Sequence, residues 1–264
     1  MEDSRREFLK KAGMGSLAGL GVFRALEKLE TDYAYAAGVS DEEASDKRWG
    51  LVVDARKCKE GCTDCIEKCH AIHNVPEFGN SKDEVKWLWT DPFENVFPSK
   101  SHQFVSETVK SKPFLALCNH CQNPPCVRVC PTKATFKRMQ DGVVLMDFHR
   151  CIGCRFCMAA CPYGARSFNW YDPRIEGTDR LVGGRTINPD FPTRERGVVE
   201  KCNLCAERLA KSQIPACVEV CKEEALIFGN LHNPNSKIRQ ILKSSPTIQR
   251  KSELGTGPSV FYIV

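Results

Sequence analysis

Cysteine is the residue in this chain whose number and spacing demand chemistry. Sixteen of them fall in four tight groups: Cys58, Cys62, Cys65 and Cys69; Cys118, Cys121, Cys126 and Cys130; Cys151, Cys154, Cys157 and Cys161; and Cys202, Cys205, Cys217 and Cys221. Thiolates at such spacing either cross-link, hold zinc or hold iron and sulfur. Triplets two residues apart are poorly suited to disulfide pairing within one loop. The fourth group alone could pass as a zinc site, but the third could not. Its run Cys151-Ile-Gly-Cys154-Arg-Phe-Cys157-Met-Ala-Ala-Cys161-Pro162 has the bacterial ferredoxin spacing, C-x₂-C-x₂-C-x₃-C-P.

That spacing has a physical cause. Three cysteines two residues apart wrap a loop around one [4Fe-4S] cubane, while the fourth lies a helical turn further on and serves the neighbouring cluster. Gly153, Ala159 and Ala160 let backbone approach the sulfides, and loop N–H groups can hydrogen-bond cluster sulfurs. Pro162 stops the segment after Cys161 from continuing as helix. All sixteen cysteines are thereby used as iron ligands in four [4Fe-4S] clusters, with no open iron site and so no catalytic residue. His70, His120 and His149 lie beside cluster cysteines and read as ordinary loop histidines, since every site already has four thiolates.

The elements that must position these loops are short and β-rich. Leu51–Val53, Phe114–Leu117, Val143–Met146 and Val198–Val199 precede the four groups, and Ala225–Phe228 follows the last. Strand, cysteine loop, short helix and strand is thus the repeating unit, and two units make a two-cluster module. Groups two and three, twenty residues apart and both ending in Cys-Pro, form an inner module over residues 113–170. Groups one and four form an outer one over 48–112 and 197–264, with His70 and Lys222 where the inner groups have proline. The expected fold is α+β, two bacterial-ferredoxin-like 2[4Fe-4S] modules, one nested in the other, with loop insertions. Of the insertions, residues 70–117 carry Trp87, Trp89, Phe93 and Phe97, and residues 171–196 are rich in Gly, Pro and Arg. They either cover the modules or offer a docking face. The apolar terminus Val260–Val264 reads as a strand added to a sheet.

Residues 1–36 read as an address. Ser4-Arg5-Arg6-Glu7-Phe8-Leu9-Lys10 is a twin-arginine signal, followed by a short apolar run from Ala12 to Phe23 and the small-residue stretch Ala34-Tyr-Ala-Ala37, with cleavage expected after Ala36. The charged stretch from Arg24 to Asp32 is atypical and leaves an uncleaved, anchoring signal open. Twin-arginine export of folded protein suits clusters built in the cytoplasm. The formal charge of +5 invites a nucleic-acid reading, which stoichiometry removes. Each loaded cluster contributes roughly −2, so four take the chain to about −3, and no nucleic-acid motif is present.

With these groups in place the chain resembles the four-cluster iron–sulfur subunits of membrane-associated oxidoreductases, the family of the dimethyl sulfoxide reductase and formate-dependent nitrite reductase (NrfC-like) electron-transfer subunits. The resemblance runs from about Leu51 onward. The segment from Cys151 to Trp170, together with the chain's own twin-arginine signal, is similar to the exported DsrO-like subunit of the Dsr/Hme menaquinol-oxidoreductase complex of sulfate reducers. The family's wiring implies clusters on Cys58, Cys62, Cys65 and Cys221; on Cys118, Cys121, Cys126 and Cys161; on Cys151, Cys154, Cys157 and Cys130; and on Cys202, Cys205, Cys217 and Cys69. Lys59-Glu60-Gly61 puts three residues between Cys58 and Cys62 where the family has two.

The resemblance implies a non-catalytic, periplasmic, membrane-associated subunit. It would pass single electrons between a polytopic NrfD-like quinone-interacting subunit and further redox subunits such as a cytochrome or a catalytic subunit, in a respiratory complex linked to sulfate or sulfite reduction. The alternatives are the beta subunit of a molybdopterin reductase for tetrathionate, thiosulfate or polysulfide, and a free-standing ferredoxin carrier. Lys201, Arg208 and Lys222 are expected to raise the potential of the fourth group's cluster, opposed by Glu219.

Overall fold

The computed structural model describes residues 47–264, which form one compact unit; the expected twin-arginine signal and cleavage site lie outside the described residues. β1 (Trp49–Asp54), the β-branched run before the first cysteine group, is the centre of the largest sheet. β2 (Leu88–Pro92) and β3 (Pro113–Leu117) pair antiparallel, as do β4 (Thr135–Lys137) with β5 (Val144–Met146) and β6 (Ser167–Phe168) with β7 (Val199–Glu200). β8 (Leu226–Asn230) flanks β1 antiparallel with Leu51 opposite Phe228, and β9 (Val260–Ile263) flanks it parallel with Val52 opposite Phe261. The strands expected before each cysteine group, after the fourth, and at the carboxyl end are all present.

Each cysteine loop leads into a short helix. α1 (Asp64–Ile72) follows the first group's loop; α2 (Phe93–Val96) and α3 (Glu107–Lys110) lie in the first insertion; α4 (Pro125–Arg128) and α5 (Phe156–Ala159) carry Cys126 and Cys157. α6 (Ala206–Leu209) and α7 (Ala216–Val220) belong to the fourth group, and α8 (Lys237–Ser244) closes the series. Four-residue helices have no intrinsic stability in water, so their ends are held by tertiary packing. α1 lies against α7, and α4 against α5, pairing group one with group four and group two with group three.

Period-two alternation on β1 divides the core. Leu51 and Val53 point into a large cluster with Trp87, Phe97, Phe114 and Tyr262, while Val52 points the other way to Ile227, Ile238 and Ile263 under α8. Both insertions contribute to burial. Trp87, Phe93 and Phe97 are buried, with the Phe97 ring edge-on to Tyr262 at 5.0 Å and to Phe114 at 5.5 Å, whereas Trp89 is half-buried. In the second insertion Leu181, Phe191 and Arg194 are buried and Tyr171 stays exposed, as does Trp170 just before it. Asn74 ties this loop down by donating to Phe191 O (2.5 Å) and accepting from Asn188 N–H (2.7 Å). Burying these aromatics stabilises by roughly 1.5–3 kcal/mol apiece, which is what converts an irregular insertion into a wall. No helix among the described residues is long and apolar enough to cross a membrane.

Candidate metal centre

All sixteen cysteines are free thiols, and packing gathers them across long sequence distances. Cys58, Cys62 and Cys65 share one cavity of about 350 Å³ with Cys221 from the end of α7, walled by Val53, Leu115 and Leu226. That is far larger than the roughly 30 Å³ share of a water molecule, and it is lined by four sulfurs. Cys69, one turn further along α1 than Cys65, lies instead among Cys202, Cys205 and Cys217. Cys118, Cys121, Cys126 and Cys161 line a second, smaller cavity together with Val144, Tyr163 and Arg166. Cys157 meets Cys151 and Cys126. Half-buried Cys130 follows α4, beside Thr132 and Thr135, and half-buried Cys154 sits in the loop before α5.

Electrostatics says what such pockets want. Burial, then the neighbouring Cys58, Cys221 and Cys62, push the Cys65 thiol up to about 12. Burial and Cys118 do the same to Cys202, burial and Cys118 to Cys121 (each to about 12), and Cys69 is driven well above the ordinary thiol range by burial and Cys202. Four thiolates cannot ionise side by side in such places without a multivalent cation among them. Backbone N–H groups already point at the sulfurs: Ala225 at Cys221 (3.3 Å), Leu204 at Cys202 (3.4 Å), Ala216 at Cys205 (3.4 Å) and Val199 at Cys151 (3.5 Å). These are the donors expected from the loop spacing, and they favour thiolate over thiol.

Orphaned donors point the same way. His120 is buried with its backbone at φ +41; its Nδ1 accepts from Val144 N–H at 3.1 Å, so its Nε2 must carry the proton, yet Nε2 has no hydrogen-bond partner. Arg166, also buried, gives one Nη to Thr135 Oγ1 (2.9 Å) and leaves the other without a partner. Both face sulfurs of the second cavity: Cys118 for His120, and Cys126 with Cys157 and Cys118 for Arg166. Buried N–H groups without acceptors are costly in a protein, and a sulfide-bearing anion is the acceptor these are shaped for. The residues therefore fit [4Fe-4S] clusters, which would supply one-electron redox chemistry at sites held by the chain's thiolates.

The histidines correct the sequence reading. His70 is on α1, not in a loop, and burial followed by the nearby Arg185 lowers its pKa to about 4; His120 is a buried core group; only His149 is exposed. His73 escaped notice, although it stands one helical turn after Cys69. It is buried against Trp87 (ring centroids 4.6 Å apart), with Nδ1 2.8 Å from Cys69 O and Nε2 2.9 Å from Glu207 Oε1. Burial opposes its charge, but hydrogen bonds to Cys205 and Glu207 outweigh that and raise its pKa to about 9. The fully buried Arg194–Glu200 ion pair was also missed. Trp87 Nε1 (2.7 Å) and Asn169 Nδ2 (2.5 Å) both donate to Glu200.

Comparison with known proteins agrees with this chemistry. A 4Fe-4S dicluster domain model matches residues 109–179 and 176–231. The chain is 40% identical over 248 residues to the Hdr-like menaquinol oxidoreductase iron-sulfur subunit 1 of Archaeoglobus fulgidus, covering 84% of this chain and 86% of the relative. It is 36% identical to the menaquinone reductase iron-sulfur cluster-binding subunit of Nitratidesulfovibrio vulgaris (82% and 88% covered), and 33% identical to NrfC of Escherichia coli K12 (98% and 95% covered). Free thiols gathered in fours, orphaned donors aimed at them and relatives spanning nearly the whole chain lead to one assignment: the chain belongs to the family of ferredoxin-like 4Fe-4S dicluster subunits that carry electrons in oxidoreductase complexes.

Proposed function

We propose that the chain holds four [4Fe-4S] clusters in two nested ferredoxin-like modules and conducts single electrons along them. The observation that carries this is the exchange of last ligands: Cys221 completes the first group's cavity while Cys69 joins the fourth group's sulfurs. Cys161 likewise sits with Cys118, Cys121 and Cys126, and by the family's wiring Cys130 would complete the site of Cys151, Cys154 and Cys157. Neighbouring thiols support a linear order of sites, since Cys65 lies near Cys69, Cys202 near Cys118 and Cys126 near Cys157. The path runs from the first site through the fourth and second to the third.

The relatives named for menaquinol and menaquinone support a membrane quinone-interacting partner at one end of this path and a cytochrome or other redox subunit at the other. In this reading the subunit is exported by the twin-arginine route and works at the outer face of the cytoplasmic membrane, in respiration linked to sulfate or sulfite. A second reading is favoured by other relatives at 35–38% identity, an arsenate respiratory reductase iron-sulfur subunit and a dimethyl sulfoxide reductase iron-sulfur subunit. It makes the chain the beta subunit of a molybdopterin reductase.

One experiment addresses all of this: mass spectrometry of the native complex purified without oxygen, with iron and acid-labile sulfide measured on the same material. Four irons and four sulfides per group of four thiols, a polytopic membrane partner, and a first residue near Ala37 are expected. A molybdopterin subunit in the complex selects the second reading. A lone soluble chain, or zinc in place of iron, removes the first.

A further inference from the structure

The sequence places the strongest positive influence at the fourth group, on Lys201, Arg208 and Lys222, and the structure redirects it. Arg208 is paired with Glu219 at 2.8 Å, and the Lys222 side chain is 85% exposed, 4.0 Å from Asp64. Half-buried Arg208 is offset by its carboxylate partner, and the exposed Lys222 is screened by water and salt. Lys201 is different: it is buried, with Nζ donating to Cys202 O (2.8 Å) and to Val144 O. Val144 lines the second cavity, and its own N–H holds His120. One residue of β5, through its N–H and its C=O, thus fixes an imidazole and a cation beside Cys118.

The other flanks of the second cavity are also positive. Buried Arg166 stands where Cys126 approaches Cys157 of the third group. Half-buried Arg48, anchored on Ser259 Oγ (3.0 Å) and Gly257 O (3.1 Å), faces Cys121. The acid nearest His120 is Asp141, which is engaged bidentately by Arg138. The first site differs. Its wall mixes Lys59 and Lys222 with Glu60, Asp64 and Glu223 and opens to solvent. Around the fourth site, His73 and Glu207 neutralise each other at 2.9 Å, and Lys201 is shared with the second. Positive charge and N–H donors held in a low-dielectric pocket stabilise the extra electron of a reduced cluster, because neither water nor salt screens them.

We propose that Lys201, Arg166, Arg48 and the Nε2–H of His120 make the Cys118, Cys121, Cys126 and Cys161 site the electron sink of the chain, the site reduced at the most positive potential of the four. This rests on the ligand assignment under Proposed function. Electrons entering from either end fall to this interior site, and onward transfer from it is the uphill step.

The test is an EPR-monitored redox titration of the anaerobically purified native complex, wild type against Lys201→Met, Arg166→Met and Arg48→Met, with iron and sulfide counted in each. Lys201 and Arg166 each border a different second site, so only the shared site responds to both. Expected is one signal whose midpoint falls in all three variants, that signal being the first reduced in the wild type, with Lys201→Arg restoring it. The proposal is overturned if the common signal is not the first reduced, or if iron stays complete and no common signal moves. Should the two buried variants lose iron, Arg48→Met decides alone by whether the signal it lowers is the first reduced. Failure of the ligand assignment shows separately, as a wild-type iron and sulfide content short of four of each per group.

Discussion

At the scale of single residues, the conformations that the cysteine loops impose were only partly legible. Gly153 could be read from the motif as a small residue near sulfur. What fixes it is sharper, a φ of +69° with a Cβ position only 2.3 Å from Gly197 O. Gly153→Ala should therefore cost about 1–3 kcal/mol and loosen the Cys151–Cys157 loop, seen as lower iron content and faster bleaching of cluster absorbance in air. His73 was illegible because its meaning depends on Glu207, 134 residues away. Its raised pKa sets a pH window. A histidine held charged in the fold adds stability that is complete below its ordinary value near 6.5 and is lost as pH rises through about 9. Glu207→Gln should move that alkaline loss to lower pH and cost roughly 1–3 kcal/mol near neutrality, measured as thermal stability against pH. A variant with an unshifted alkaline limb would remove His73 from the account.

At the scale of elements, β-branched runs beside turn-forming cysteine loops announced the strands, and the structure pairs them as period-two patterning allows. The short helix of each cysteine loop, and its pairing of group one with four and two with three, was legible in the repeat; the helices of the first insertion were not, since four residues carry no amphipathic face to read. α8, which the sequence reading did not include, is a two-turn helix that seats Ile238 against Val52, Ile227 and Ile263. Gly229 of β8 lets it sit this close, a Cβ there falling 2.8 Å from Ile238 Cγ2. Ile238→Ala should cost about 2–4 kcal/mol by leaving a cavity between helix and sheet, and Gly229→Ala should destabilise by crowding the same contact. Chemical denaturation of the loaded protein measures both, and equal stability of either variant with wild type would show that α8 is not part of the cooperative unit.

At the scale of the molecule, the thiols do more than hold a cofactor. The four-residue helices and two-stranded sheets around them are too small to stand alone, and burial presses thiols together that repel as thiolates. Removing iron with a chelator under reducing conditions should thus abolish the cooperative melt and much of the ellipticity, whereas a scaffold that folds first would keep both. The sequence made the ligand count plain, but not the order of the sites, because which thiols adjoin is decided by strands far apart in the chain. The three-stranded sheet that joins Trp49–Asp54 to residues 226–263 has a consequence for biogenesis. A ribosome must release more than 170 residues beyond β1 before either flanking strand exists to pair with it, and Cys58, Cys62 and Cys65 wait more than 150 residues for Cys221. The first cysteines made are thus among the last to be enclosed, so during synthesis they depend on whatever guards nascent thiols from oxidation, and no partial chain can shelter them.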